Sequence, residues 1–258
     1  MRPTRTWLPV VAAVLATAMS AGAPAAARDQ AGDFDFYVLA LSIAPSFCDL
    51  TGYRTHKAQC QDPSDDDFGT TPLTIHGLWP NRRNTPARAQ PQSCATAPLP
   101  RFADDLFADL KTYMPGIADR LQQHEWSRHG VCSGLEPDAY FRRIVALAKA
   151  ANATIGTAMK DQDLFGKPMA ISALLDAVAA KNRDLADAMQ VDCQFARRGA
   201  DGRPSRAYVS EIRVLIPKDL DATGSGWPAT FVSRSSAGFG ANSGCPGGVG
   251  FLPGSFSD

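Results

Sequence analysis

The 258-residue sequence predicts a single exported domain in which β-strands and amphipathic helices are mixed and fastened by disulfides. Aromatic and aliphatic runs bounded by Gly or Pro stand at 34–43, 73–80 and 207–217, while apolar residues recur at helical spacing at 102–113, 138–151 and 171–184. Six cysteines, Cys48, Cys60, Cys94, Cys132, Cys193 and Cys245, fit three structural disulfides in an oxidising compartment. The absence of a CxxC pair argues against a zinc ribbon and a thioredoxin-like site, and spacing alone leaves the pairing open.

At the N-terminus, Arg2 and Arg5 precede an apolar run from Trp7 to Met19 and the small-residue exit Ala25-Ala26-Ala27. This is the pattern of a secretory signal peptide over 1–27, leaving one mature domain over 28–258. The apolar run is too short and alanine-rich for a membrane anchor, and no later segment reaches the length of a spanning helix. An exported protein, periplasmic or extracellular, is expected. Removing Arg2 and Arg5 turns 26 Lys and Arg against 26 Asp and Glu into 24 against 26, a formal charge of −2. A general polyanion binder carries a strong positive excess, so any nucleic-acid contact here must come from a local cluster.

The elements follow in order. Phe34 to Ile43, between Gly32 and Pro45, reads as a buried and central strand. Ser46 to Thr71 is polar, contains Cys48, Cys60 and the run Asp65-Asp66-Asp67, and reads as a stapled loop in which His56 is solvated. LTIHGLWP at 73–80 is an apolar strand with His76 set into it. A lone histidine in such a strand is ordinarily a satisfied core residue, but Gly77 removes a side chain beside the imidazole and Trp79 adds an aromatic surface on the side of the strand that Gly77 faces. Residues 81–100 form a Pro-rich loop whose Arg82, Arg83 and Arg88 are more simply solvated than phosphate-collecting. Phe102, Leu106, Phe107 and Leu110 mark a packing helix over 102–113, ended by Pro115 and Gly116.

HEWSRHGVC at 124–132 is the chemically densest window. As a helix it spreads His124, Glu125, Arg128 and His129 over a fan of roughly 140°, with Glu125 and His129 one above the other. A mixed-charge run is ordinarily a solvated face; here two of the chain's four histidines share it with a carboxylate and a guanidinium, which favours a site able to move protons and hold an anion. A zinc site is disfavoured, because zinc helices place their histidines four apart and His124 and His129 are five apart. Asp138 to Ala151, behind Pro137, reads as a further helix, as does Ile171 to Asp184. AMQVDCQF and AYVSEIRVLIP read as a pair of neighbouring strands across the turn-rich 197–206, the second alternating Val209, Glu211 and Arg213 with Ser210, Ile212 and Val214. The Gly- and Ser-rich tail from Asp221 reads as irregular, tied down by Cys245.

With IHGLWP at 75–80 and HEWSRHGVC at 124–132 in order behind a leader, the chain resembles the T2 family of secreted ribonucleases. The likeness is strongest over 72–145. It implies an α+β fold with a central antiparallel sheet against helices, and disulfides Cys94–Cys132 and Cys193–Cys245, with Cys48–Cys60 left over. It implies that His76 and His129 are the acid/base pair, that Glu125 supports the transition state and that His124 binds phosphate. Arg128 stands where the family usually has lysine, retaining the charge in a planar fork; Asn81 stands where an aspartate is frequent, and Trp79 is a surface for a base to stack on. The expected partner is single-stranded RNA, with no DNA, no metal or other cofactor, no membrane span after leader cleavage, and a monomeric state.

The expected chemistry is attack of the ribose 2′-OH through a 2′,3′-cyclic phosphate to a 3′-phosphate, with His129 as base and His76 as acid in the first step. Two other classes compete. A secreted RNA- or protein-binding member of the same fold that turns nothing over is disfavoured because every acid/base residue of the family pattern is present. A metal-dependent nuclease or phosphatase is disfavoured because Asp65-Asp66-Asp67 is the one acidic run, and consecutive residues do not readily face one ion.

Overall fold

The first strand, β1 (Phe36–Ile43), is buried along both faces, as its unbroken apolar run requires. It pairs antiparallel with β2 (Leu73–Asn81) on one edge and with β5 (Ala207–Pro217) on the other, and β5 pairs antiparallel with β4 (Met189–Phe195). A six-stranded sheet among the described residues is completed by β6 (Val249–Leu252), parallel to β5 at Tyr208 and Phe251, and β3 (Lys167–Ala170), antiparallel to β6. The computed structural model describes residues 29–50, 56–61, 65–195, 206–219, 226–240 and 244–256. The expected leader at 1–27 and most of the turn at 197–206 lie outside the described residues. The α+β class with a central, mainly antiparallel sheet is the one observed.

Directly opposed residues share a face of a sheet, so the register sorts the two sides. Tyr37, Leu39, Leu78, Val191, Ile212, Val214 and Ile216 make one face apolar. Against it pack α3 (Asp104–Tyr113) and α5 (Pro137–Ala151), and the Tyr140 hydroxyl donates to the Leu78 carbonyl at 2.7 Å. The opposite face carries Ala40 and Ser42 of β1, Gly77 and Trp79 of β2, Glu211 and Arg213 of β5, and Gln190 and Asp192 of β4. Polar groups thus gather on one side of the sheet, and α4 (Leu121–Arg128) meets that side beside β2.

Several segments differ from their sequence expectation. The stretch 46–71 is not simply a loop: α1 (Ala44–Leu50) continues directly from β1 and α2 (Asp65–Thr70) precedes β2. Pro45 in the first turn suits a helix start, and burial of Ala44, Ser46, Cys48 and Leu50 outweighs the polar composition. Within α3, Leu106 and Leu110 are buried, but Phe107 is 43% exposed under the Lys111 ammonium. Beyond α5 a π-helical turn at Asn152–Gly156 leads into α6 (Thr157–Asp161). There the Asn152 side chain bonds both the N–H and the carbonyl of Leu73, pinning the start of β2.

The run 171–184 is two helices, α7 (Ile171–Ala179) and α8 (Arg183–Ala188), because Asn182 turns extended and its side chain accepts from the Leu185 N–H, capping the second. The tail is also more ordered than its composition suggests: α9 (Arg234–Ala237) is capped by Ser233, and the four-residue β6 hides in a Gly-rich stretch. The disulfides pair Cys48 with Cys60, Cys94 with Cys132 and Cys193 with Cys245, as the family resemblance implies. No described helix is long and apolar enough to cross a membrane.

Candidate active site

His76 reaches the polar face of the sheet through a β-bulge. Opposite β1, Gly77 pairs with Ala40 and Ile75 pairs with Leu41, leaving His76 as the extra residue. Bulges bend a strand and re-aim a side chain, which takes this imidazole out of the core that its apolar strand would suggest. Its side chain is 39% exposed, and Nδ1 lies 2.6 Å from Glu211 Oε2. The small Ala40 and Ser42 on the intervening β1 leave room for this contact from β2 to β5. The second Glu211 oxygen accepts from Arg213 Nε at 2.5 Å, and Arg213 Nη1 lies 3.1 Å from Asp192 Oδ2.

Glu125 comes from α4 and is 1% exposed. Its Oε2 accepts from Trp79 Nε1 at 2.9 Å. Gly77 makes this approach possible, since a Cβ there would overlap the Glu125 carboxylate and stand 2.5 Å from Trp79 Nε1. Trp79 lies between the two candidate imidazoles: the His76 ring meets it edge-on at 5.1 Å and the His129 ring is tilted at 5.5 Å. The Arg213 guanidinium sits 5.6 Å from the same indole. Trp79 is therefore a spacer and an anchor for Glu125, and what remains of its surface lines a cavity.

The helix ends at Arg128, short of the Cys132 end of the window read as helical. His129 leaves helical geometry at φ −120°, its N–H still bonded to the Glu125 carbonyl at 2.9 Å, and a 3₁₀ turn at Gly130–Cys132 follows. Trp126, pointing away from the site, donates to the Ala97 carbonyl and packs on Tyr140. His124 and Arg128 are exposed at the rim. Two cavities flank the cluster: one of about 490 Å³ lined by His76, His124, Thr74, Leu121 and Glu211, and one of about 470 Å³ lined by His129, Trp79, Asn81, Gln92, Arg213 and Phe239.

The electrostatics separate the two imidazoles. Burial would lower the pKa of His76, but the hydrogen bond and charge of Glu211, with the charge of Glu125, outweigh it and hold the group above its ordinary value. His129 is pushed down to about 3 by burial and by the charges of His124, Arg128 and His76, and its Nδ1 is buried with no hydrogen-bond partner. His124 is lowered by burial, then by Arg128 and His76. Burial raises Glu125 to about 7, against the opposing pull of His76 and the Trp79 hydrogen bond. The cluster thus holds one imidazole biased toward its protonated form, one biased toward neutral, and a carboxyl able to exist as the acid near neutrality.

All six expected site residues, His76, Trp79, His124, Glu125, Arg128 and His129, converge. Glu211, Arg213 and Asp192 join them without having been singled out. The available signal was the pair of charges on one side of a strand whose other side is apolar. Two of the three arginines after β2 are committed elsewhere: Arg82 pairs with Asp29 and Asp33, and Arg83 bonds Ser236 and covers Phe36, while Arg88 is exposed. Among the described residues, no group of three or more His, Cys, Asp and Glu side chains converges as a metal site.

Comparison with known proteins agrees with this architecture. Residues 34–223 match the Ribonuclease T2 family. The chain is 31% identical to Ribonuclease I of Escherichia coli (strain K12) over 81% of its own length and 86% of that protein's. It is 34% identical to a ribonuclease of Aeromonas hydrophila over 42% of each chain. Its fold resembles the crystal structure of RNase NT in complex with 5′-AMP, with a TM-score of 0.61 and 21% identity over 86% of this chain and 98% of that one. It also resembles ribonuclease MC1 from the seeds of bitter gourd, at TM-score 0.58 and 19% identity over 85% of this chain and 100% of that one. With the family match spanning most of the chain and a relative 31% identical over 81% of it, the protein belongs to the ribonuclease T2 family of enzymes.

Proposed function

We propose that the protein is an exported endoribonuclease that cuts single-stranded RNA without a metal ion, by attack of the 2′-OH through a 2′,3′-cyclic phosphate to a 3′-phosphate. The observation that carries this reading is the pair His76 and His129, held on either side of Trp79 at 5.1 and 5.5 Å with opposite protonation biases. In the first step neutral His129 takes the 2′-OH proton and protonated His76 gives one to the departing 5′-oxygen; the roles exchange when water opens the cyclic phosphate. A substrate phosphate beside His124 and Arg128 offsets the positive charges that lower His129, making it a stronger base in the complex than in the free enzyme.

Glu125, poised near 7, supports a further role: as the neutral acid it donates a hydrogen bond to a phosphorane oxygen. His124 and Arg128 at the rim hold the phosphate. The test is a short digest of RNA by the purified mature protein with and without EDTA, followed by mass spectrometry. Cyclic phosphate ends that later become 3′-phosphates, formed equally in EDTA, are expected. 5′-Phosphate ends, or loss of cleavage in EDTA, would overturn the proposal.

A further inference from the structure

We infer that Glu211 is a positioning residue for catalysis, fixing the His76 imidazole with its Nδ1–H on a carboxylate and Nε2 left for the substrate. The inference rests on the reading of His76 as the acid of the first step. Glu211 belongs to neither signature motif and lies 135 residues from His76, on a different strand. Its side chain is 10% exposed, and both oxygens are used: Oε2 toward His76 at 2.6 Å and Oε1 toward Arg213 Nε at 2.5 Å. Arg213 in turn lies against Asp192 on β4 and against the Trp79 indole. The carboxylate is thus gripped from behind and has little freedom to leave the imidazole.

This arrangement has a chemical consequence for a histidine whose backbone sits at a bulge. A bulged residue lacks the full ladder that aims its neighbours, so the ring needs a second point of attachment, and Glu211 supplies one. With Nδ1–H donated to Glu211, the mobile proton of the imidazolium is the one on Nε2. As the P–O5′ bond breaks, its electron pair stays on O5′ and the Nε2 proton passes to it, leaving a neutral ring still hydrogen-bonded through Nδ1. Glu211 keeps its charge throughout, its own pKa held down by His76 and Arg213 against the upward push of burial.

The groups facing His76 have opposing effects. Glu211 from β5 and Glu125 from α4 favour the imidazolium, while Arg213 from β5 opposes it, and the charge of His76 in turn lowers His124 and His129. Arg128 on α4 and Asp192 on β4 stand behind these, and Lys57, Asp119 and Arg120 line the far side of the His76 cavity. Of all these, Glu211 makes the direct bond to the ring.

The decisive variant is Glu211→Gln, which keeps a hydrogen-bond acceptor for Nδ1–H and removes the charge. NMR titration of the free protein, with the His76 resonance identified by its loss in His76→Asn, should show the His76 pKa falling by about one pH unit or more. Turnover of a dinucleotide should fall about tenfold or more, with its alkaline limb moved to lower pH. A nucleoside 3′-(4-nitrophenyl phosphate), whose leaving group needs no acid, should be cleaved at close to the wild-type rate. Glu211→Asp, which keeps the charge but retracts it, should give intermediate values and serves if the Gln variant does not fold. An unchanged His76 pKa in a folded variant overturns the role of Glu211 while leaving the acid reading of His76 standing. A lowered pKa with equal effects on both substrates overturns the acid reading, and the positioning role with it.

Discussion

Gly77 and Glu125 fit together as a notch and its occupant: the missing side chain at 77 is what admits the buried carboxylate against Trp79 Nε1. The glycine's φ is not in the left-handed region, so its value here is space rather than backbone freedom. Gly77→Ala should therefore force Glu125 or Trp79 to move. We expect a stability loss of about 1–3 kcal/mol and a kcat reduced on the order of 10²-fold, read by thermal melting and steady-state kinetics. An unimpaired kcat would show that the carboxylate does not need that position.

His76→Ala and His129→Ala should each leave the fold intact and lower kcat on the order of 10²–10⁴-fold, the usual worth of a positioned acid or base. On a substrate with a 4-nitrophenolate leaving group the two should diverge, His76→Ala recovering much of its rate and His129→Ala little. Equal recovery in both would contradict the assignment of acid and base.

Stability should depend on pH in opposite directions through two buried groups. Glu125, raised to about 7 in the fold, binds more protons folded than unfolded between about 4.5 and 7, so its contribution to stability falls as pH rises through that window. His129, lowered to about 3, binds fewer protons folded than unfolded between about 3 and 6.5, so its contribution rises with pH there. Relative to wild type, Glu125→Gln should gain stability as pH rises from about 4.5 to 7, and His129→Gln should lose its advantage from about 3 to 6.5. Each effect amounts to a few kcal/mol at most, at about 1.4 kcal/mol per pH unit of displaced pKa. Denaturant melts at several pH values decide it; parallel curves for either variant and wild type would mean the group titrates alike in both states.

The disulfide Cys94–Cys132 closes a segment of 38 residues and fastens the loop after β2 to the turn that follows His129. Alongside it, the Ser93 N–H bonds the Arg128 carbonyl at 2.8 Å. The double variant Cys94→Ser/Cys132→Ser should lose about 4 kcal/mol of stability from loop-closure entropy and raise KM, because Arg128 and His129 leave the helix end unsupported. A melting temperature matching wild type would show that the loop is held by other contacts.

A single 2′-deoxy sugar should protect only the phosphodiester on its 3′ side, and DNA should not be cut, since the 2′-OH is the nucleophile in the proposed reaction and the mark that separates RNA from DNA. Gel analysis of a chimeric oligonucleotide is sufficient. Cleavage at the deoxy position would require water to attack directly.

Much of this architecture could be read from local sequence. A strand such as FYVLALSI announces itself by an unbroken apolar run, and a helix such as Pro137–Ala151 by helical periodicity, each within one short window. Two motifs with characteristic residues identified the family and named His76, Glu125 and His129. Other features depended on partners far away in the chain. The break at Asn182 turns on a single cap, and the strand at Val249–Leu252 exists because Lys167–Ala170 lies beside it. The bulge that exposes His76 is a mismatch between two strands and has no mark in either one alone.

By itself, then, the sequence determined the class of fold, the identities of the acid/base candidates and the cysteines available for pairing. That burial and charge bias His76 toward its protonated form and His129 toward neutral, and that Glu211 stands behind His76, follow only from tertiary structure. The physical reason is range: periodicity and capping act within a few residues, whereas a pKa is set by burial and by charges that the register of β1, β2 and β5 brings within hydrogen-bond distance across 135 residues of chain.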